Sequence, residues 1–203
     1  MALSAQDKIL YVANKLGLST LNQMQGSTGA VYDVDTDISG QIFTSASRHQ
    51  NPSVTNITQN EFEVNEALLV ENISFYLQDT NGSNVNFQQA YGSNAVIVFD
   101  LIIGNKRTMK DTPVFGMGSP YTFSNVAQSR SISGGNTTSA FVPRHQVFME
   151  GAGILIPPQV QWYVDYRVFD LVTGAVITPV AETGFIGCYL FGTRVLLNFN
   201  TSI

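Results

Sequence analysis

The amino-acid sequence predicts an all-β fold in which antiparallel strands build a sandwich. Three observations lead to this class: short runs rich in Val, Ile, Phe and Tyr recur after residue 60, turn sequences separate them, and no helical crossover pattern lies between them. About eight such runs without intervening helices favour antiparallel sheets over a parallel α/β arrangement. We therefore expect residues 61–203 to form one β domain.

The candidate strands are bounded by turn sequences such as Asp79–Gly82 and Pro157–Pro158. They cover Ala67–Leu77, Val85–Ala90, Ala95–Ile103, Thr112–Phe115, Ala140–Met149, Gly153–Ile156, Val160–Phe169 and Gly184–Phe199, the last broken near Gly192. Alternation is clearest from Val160 to Val168, where every second residue is apolar and Trp162 lies on the apolar face. This pattern predicts that Trp162 is buried between two sheets.

One short helix is predicted before the β domain, from about Ala5 to Leu16. Ser4 stands in an N-cap position with Asp7 three residues later, and Gly17 supplies a C-terminal stop. Apolar residues recur at helical spacing along it. We expect the stripe of Ile9, Leu10, Val12 and Leu16 to pack on a neighbouring subunit or an inner layer. The alternative is that the helix folds back to cover one end of its own sandwich.

Two stretches lack a sustained strand pattern. Residues 19–60 are rich in Gly, Ser, Thr, Asn and Gln, and a weak pattern of this length inside a compact domain is unusual. They favour an extended arm that lies on another molecule, so the chain divides into residues 1–60, the helix and arm, and residues 61–203. Residues 105–139 are predicted to form a large surface loop.

Composition favours a protein that works in an assembly. Charged residues make up 12% of the 203 residues, about half the usual share, and the net charge is −5. Few charges and a mean hydropathy of +0.07 are typical of proteins whose surface is covered by partner subunits. The composition therefore predicts a homo-oligomer. The alternative is a neutral, Asn-rich extracellular domain.

The sequence contains no leader or membrane-spanning pattern. No basic and apolar leader follows Met1, and no apolar run approaches the roughly 18 residues that a transmembrane helix needs. Cys188 is the single cysteine, so it forms no intrachain disulfide, and its apolar surroundings favour a buried thiol. We expect synthesis in the cytoplasm.

Motifs for catalysis are absent from the sequence. The two histidines, His49 and His145, have no second His or Cys at metal-ligand spacing. Nucleophile-elbow, phosphate-binding and dinucleotide-binding glycine motifs are also missing. The sequence thus predicts a protein that is not an enzyme, with no cofactor and no transition metal.

Three clusters of charged residues allow weaker alternatives. Asp33, Asp35 and Asp37 alternate as in a calcium loop, yet Ile38 and Thr44 stand where an EF-hand needs Gly and Glu, so solvated acids on an arm are favoured. Carboxylate pairs for glycoside hydrolysis are common in such chains, and here they would be drawn from Glu61, Glu63, Glu66 and Glu71 with Asp165 or Asp170. The basic cluster of Lys106, Arg107 and Lys110 is too small to predict strong nucleic-acid binding in an acidic chain.

The run from Phe148 to Trp162 gives a family resemblance. There a strand ends in a Glu-Gly turn, a short strand follows, and a Pro-Pro step leads into a long aromatic strand. Together with the helix and the polar arm, residues 61–203 resemble single jelly-roll virion structural proteins of bacteriophages. The resemblance implies a jelly-roll sandwich that tiles a capsid shell in the virion, with copies of itself and other virion proteins as partners.

Two other functions fit the same architecture. One is a phage receptor-binding or carbohydrate-binding module, in which aromatic side chains such as Tyr91, Tyr121 and Phe123 would stack on sugar rings. The other is a hydrolase, which requires two carboxylates that face each other across a cleft. The long segment before the β domain favours the capsid function over both.

Overall fold

The structure, a computed structural model, describes residues 4–18, 24–44, 54–80, 84–85, 87–92, 94–114, 128–132, 135–139 and 153–197. Two antiparallel β-sheets packed against each other make up most of it, which confirms the all-β sandwich class. One helix precedes the first strand, as predicted.

The described residues contain two α-helices, twelve strands and one turn of 3₁₀ helix. Their bounds are α1 Ala5–Leu16, β1 Gln25–Val34, β2 Gln41–Ile42, β3 Glu66–Gln78, β4 Asn84–Val85, α2 Phe87–Tyr91, β5 Ala95–Ile103, β6 Lys106–Pro113, β7 Gln128–Ile132, β8 Gly135–Ser139, β9 Ile154–Ile156, β10 Trp162–Asp170, β11 Val176–Ile177, the 3₁₀ turn Ala181–Thr183, and β12 Phe185–Leu196.

Eight of these strands have the connectivity of a jelly roll. Sheet A has the order β1-β12-β3, and both β4 and β9 pair with the edge of β3 that faces away from β12. Sheet B has the order β10-β5-β6, and both β2 and β11 pair with the edge of β10 that faces away from β5. Leaving out the short β4 and β11, the orders β1-β12-β3-β9 and β2-β10-β5-β6 carry the chain repeatedly between the sheets, as in a double Greek key. Strands β7 and β8 form a separate hairpin.

The core lies between the two sheets, and β10 shows why the sequence folds this way. Its side chains alternate between buried and partly exposed along the strand. Trp162 is 0% exposed, which confirms the predicted burial, and its ring lies 4.7 Å from that of Phe43 and 5.6 Å from that of Phe62. Burial of such an aromatic side chain is among the largest single contributions to a core.

The expected arm is wrong for residues 25–44, which are part of the sandwich. Strand β1 pairs along its full length with β12, from Gln25↔Leu196 to Val34↔Gly187, and β2 pairs with β10. Phe43, just after β2, is completely buried in the main core. A division at residue 60 therefore does not match the structure, because the first strand of sheet A precedes it.

Two further predictions need correction. The run Val85–Ala90 holds only the end of β4 and then enters α2, where Phe87 is buried. The loop expected over residues 105–139 instead begins with β6 and contains the β7–β8 hairpin, and Thr112 lies inside β6. The predicted strand Ala140–Met149 lies outside the described residues, as does Phe115.

Strand β12 continues through Gly192, where a break was expected. The pairing register with β3 shifts between Phe191 and Gly192, which marks a β-bulge. A Cβ at residue 192 would collide with the backbone carbonyl of Leu69, so only glycine fits this close approach. The glycine thus bends a continuous strand and does not end it.

Candidate functional site

The predicted assembly helix, α1, packs on its own sandwich. Val12 is 0% exposed and forms a second apolar cluster with Ala67, Leu69 and Val195 on the outer face of sheet A. Leu16 is partly buried against the same cluster. The expectation that this stripe packs on a neighbouring subunit is therefore wrong for Val12 and Leu16, since sheet A already covers them.

Polar contacts cap both ends of α1 and attach one side of it to sheet A. The capping box is formed as predicted: the Asp7 amide donates to Ser4 Oγ at 3.2 Å, and the Ser4 amide donates to Asp7 Oδ2 at 3.2 Å. Gly17 ends the helix with φ 69°, in the left-handed region that favours glycine. Lys8 Nζ lies 2.7 Å from Glu71 Oε1 on β3, which ties the helix to the sheet.

The two remaining residues of the stripe lie in different surroundings. Ile9 packs over Gly26 of β1, where a Cβ would lie only 2.8 Å from Ile9 Cδ1. Leu10 is 42% exposed. Lys8 lies on the β3 side of the helix and Ile9 over β1, so a further turn of 100° per residue places Leu10 on the flank of α1 that faces away from β3. Of the four residues of the stripe, Leu10 is the one with an exposed side chain.

The alternating aspartates do not form a loop of solvated acids. Asp33 and Asp35 are both 0% exposed, and only Asp37 is exposed. Asp35 accepts hydrogen bonds from the Gly40 amide at 2.8 Å and the Tyr166 hydroxyl at 2.9 Å. Among the described residues, no group of three or more acidic, His or Cys side chains has metal-binding geometry. The two buried carboxylates instead hold the connection between β1 and β2.

The other acidic candidates lie in separate places. Glu66 forms an ion pair with Arg194 and, with Glu61 and Glu63, lines a cleft of about 110 Å³ between sheet A and the segment that precedes β3. Glu71 is bound to Lys8 and to the Thr193 hydroxyl.

The two aspartates on β10 face away from that cleft. Asp165 lies opposite Asp100 in the register between β10 and β5, on the outer face of sheet B. Asp170 caps the turn after β10, where it accepts hydrogen bonds from the amides of Val172 and Thr173, and these bonds lower its pKa. The structure thus brings Glu61, Glu63 and Glu66 together but leaves both aspartates apart from them.

The basic cluster lies on an edge strand and not on a loop. Lys106, Arg107 and Lys110 all belong to β6, the outer strand of sheet B. Arg107 Nη1 lies 3.3 Å from Asp100 Oδ2, so one of its three charges is paired within the chain. The Lys side chains are exposed along this edge.

The aromatic residues expected to bind sugars do not form a platform in the described part of the chain. The Tyr91 hydroxyl donates to the Gly184 carbonyl at 3.2 Å, and its ring packs 4.9 Å from that of Phe87. Tyr121 and Phe123 lie outside the described residues, as do both histidines, His49 and His145.

A different aromatic group, which we call the tyrosine cluster, covers part of sheet A beside α1. The Tyr189 ring lies 5.2 Å from Tyr32 and 5.0 Å from Tyr76, and Tyr189 is 40% exposed. The Tyr76 ring lies across Gly187, where a Cβ would collide with it. Burial, and then the neighbouring Tyr189 phenol, raise the pKa of Tyr76, so that its hydroxyl stays protonated. No periodic pattern predicts this group, because its members come from three strands that are distant in the chain.

A second surface, the sheet B groove, lies on the opposite outer face. It has a volume of about 390 Å³, and its apolar lining includes Val96, Val98, Pro113, Phe169 and Leu171. The ion pair of Arg167 with Asp111, at 2.5 Å, forms one rim.

Exposed apolar residues continue beside this groove. Leu171 is 59% exposed and Val172 is 75% exposed. Val176 is 60% exposed and pairs with Phe169, which places both on one face of sheet B. The apolar surface therefore extends from the groove across the β10–β11 turn.

No protein-family model, curated protein or solved structure matches the chain. Within the described residues, no helix is both long and apolar enough to cross a membrane.

Proposed function

We propose that this chain is a structural subunit of a virion shell that assembles through surfaces of its jelly-roll sandwich. It acts as a non-enzymatic building block, with copies of itself and other virion proteins as partners. The strand order and the resemblance of the Phe148–Trp162 run support this class, although a fold alone does not define a function. The observation that carries the proposal is the exposed apolar surface of sheet B.

Covering this surface would favour association. Leu171, Val172 and Val176 are each more than half exposed, and they adjoin a groove with an apolar lining. Burial of one such side chain contributes about 1.5–3 kcal/mol at most, so a few of them supply much of a subunit contact. Charged residues are only 12% of the chain, so little of its surface opposes burial against a partner.

Static light scattering of the purified chain tests the proposal. We expect a mass that is a multiple of 22.1 kDa and rises with concentration, and particles visible by electron microscopy. The double variant Val172→Ser/Val176→Ser should raise the concentration needed for half-assembly about tenfold or more, because two apolar contacts are lost. The matched control is Val64→Ser, which alters a 63% exposed valine on another part of the surface.

Two results would contradict the proposal. A wild-type chain that stays monomeric at high concentration would rule out self-assembly. Equal effects of the control and the double variant would show that the sheet B surface is not the contact.

The tyrosine cluster favours a second candidate function, a receptor-binding or carbohydrate-binding module. Aromatic rings that combine an exposed face with hydroxyl groups suit both stacking on sugars and hydrogen bonding to them. In this case Tyr189→Ala should abolish binding to a glycan array, whereas Tyr163→Ala on sheet B should not. Glycan binding that survives Tyr189→Ala would exclude the cluster as the site.

A further inference from the structure

The outer edge of β1 is open over part of its length. At one end, Asn56 occupies it: its Nδ2 donates to the Ala30 carbonyl at 2.8 Å, and its Oδ1 accepts from the Tyr32 amide at 2.8 Å. Backbone groups of alternate residues point to the same side of a strand, so those of Gly26 and Thr28 also point outward. In the described part of the chain, no residue pairs with this stretch on the side away from β12.

This stretch also lacks the devices that protect an edge strand. From Gln25 to Ala30 the sequence is Gln-Gly-Ser-Thr-Gly-Ala, with no charged residue and no proline. Charged residues, proline and bulges are what normally prevent an exposed edge from pairing with another chain. Strand β1 pairs with β12 through ten consecutive residues without a register shift, so no bulge twists this edge away.

Leu10 adds an apolar contact at the same place. Its side chain is 42% exposed, and it lies on the flank of α1 that faces away from β3. A strand added to β1 would extend sheet A beneath this flank and cover Leu10. The open hydrogen-bonding groups and the exposed leucine therefore face one site.

We propose that β1 pairs antiparallel with β1 of a second copy, about a two-fold axis that passes between the two Ser27 residues. This inference rests on the proposed function, for which it names one contact between subunits. In this register Gly26 of each copy pairs with Thr28 of the other, and four backbone hydrogen bonds form. Asn56 already fills the edge at Ala30, which limits the pairing to this short stretch.

The two-fold arrangement follows from the chemistry of the edge. A contact between identical patches must be self-complementary, and a strand without charge meets its own copy without like-charge repulsion. Pairing joins two copies of sheet A, each of five strands, into one continuous sheet. The contact uses backbone groups to which no described residue bonds on the side away from β12, as in other cases of strand addition.

Cysteine crosslinking of the full chain tests the register. In it the two Ser27 residues form a non-hydrogen-bonded pair, with Cα atoms about 4.5 Å apart, within the range of a disulfide. Ser27→Cys should therefore give a covalent dimer under mild oxidation. Gln25→Cys is the matched control, because its two copies would lie about 13 Å apart along the strands. Native Cys188 is completely buried and does not interfere.

A proline variant tests the pairing without crosslinking. The Thr28 amide points outward, so Thr28→Pro should leave the pairing with β12 intact, remove the contact and raise the dimer dissociation constant at least tenfold. A circular-dichroism melt checks that the variant stays folded. Absence of the Ser27→Cys dimer, equal crosslinking of Gln25→Cys, or a folded Thr28→Pro chain that dimerises like wild type would each overturn the inference.

The outcomes separate this inference from the proposed function. A chain that assembles in a manner sensitive to Val172→Ser/Val176→Ser but does not crosslink through Ser27→Cys retains the function and loses the β1 contact. A wild-type chain that is monomeric at every concentration loses both. Crosslinking through Ser27→Cys without larger assemblies supports the β1 contact and contradicts the shell.

Discussion

Strands β1 and β6 each form the outer edge of a sheet, β1 in sheet A and β6 in sheet B. Strand β6 carries Lys106, Arg107 and Lys110 and ends in Pro113, and its register with β5 shifts twice. Strand β1 has no charge or proline from Gln25 to Ala30 and no register shift. The comparison shows one edge that carries the usual protection against strand pairing and one that lacks it.

The two edges also differ in how buried carboxylates anchor them. At the end of β1, Asp35 is fully buried and, among the described residues, accepts from the Ser39 hydroxyl, the Gly40 amide and the Tyr166 hydroxyl. Beside β6, Asp100 accepts from the Asp111 amide at 2.5 Å and pairs with Arg107, whose side chain is half exposed. Strand β1 is thus held at its C-terminal end, while among the described residues its outer edge is unpaired from Gly26 to Thr28.

Removing the anchor of β1 should have the largest effect. We expect Asp35→Ala to lower the free energy of unfolding by about 3 kcal/mol or more, because the buried Tyr166 hydroxyl and two partly buried donors lose their acceptor and a fully buried side chain is removed. For a chain of this size, this corresponds to a melting temperature roughly 6–12 °C lower. Denaturant titration measures the change. Asp37→Ala, at an exposed position on the same segment, should stay within about 0.5 kcal/mol, and equal losses would show that Asp35 is no anchor.

Removing the anchor of β6 should have a smaller effect. We expect Asp100→Ala to cost about 1–2 kcal/mol, because it removes the acceptor of the partly buried Asp111 amide while Arg107 turns to water. Hydrogen exchange should speed up along β6 and stay slow along β1. Asp165→Ala, directly opposite on β10, is the control. A loss as large as that of Asp35→Ala would remove the difference between the two anchors.

Neutralising β6 should convert it towards the open type of edge. We expect Lys106→Thr/Lys110→Thr to leave the free energy of unfolding within about 0.5 kcal/mol of wild type, since both side chains are exposed. The variant should aggregate at a lower temperature in a light-scattering ramp, because edge lysines oppose strand pairing. Lys15→Thr on α1 controls for the loss of positive charge. An unchanged onset would show that lysines are not what protects β6.

The smallest effect should come from the ion pair on the outer face of β6. The Arg167 guanidinium holds the pKa of Asp111 below its ordinary value of 3.8, so Arg167→Gln should return the pKa towards 3.8. A lowered pKa stabilises the folded chain above the ordinary pKa, and this contribution disappears as the pH falls through the lowered value. NMR titration of the carboxyl groups measures it. The pKa of Asp170, lowered by the backbone amides of Thr173 and Val172, should not change.

The sequence predicted those elements whose determinants are local. The capping box at Ser4 and the stop at Gly17 define α1 to the residue, and the alternation from Val160 to Val168 defines the buried face of β10. The apolar run Ala95–Ile103 coincides with β5, which is covered on both faces over much of its length. In each case neighbouring residues carry the information.

The misplaced elements depend on partners far away in the chain. Strand β1 has a Gly- and Ser-rich start because backbone pairing with β12, and not side-chain burial, holds it in the sheet. The apolar stripe of α1 predicted the helix correctly. Its periodicity could not show whether the stripe packs on another subunit or on the chain's own sheet A. Only packing shows that Val12 is covered and Leu10 is not.

The central place of β12 has a consequence for how the chain is made. This strand separates β1 from β3 in sheet A, although both precede it by a long stretch of sequence. During synthesis, at roughly 5–20 residues per second, β1 and the edge of β3 that pairs with β12 remain unpaired until β12 has been made. Such non-local pairing slows folding and leaves unpaired strands at risk of aggregation. Nascent chains that stop before Phe185 should therefore need chaperones, whereas completed chains should leave them as β12 inserts.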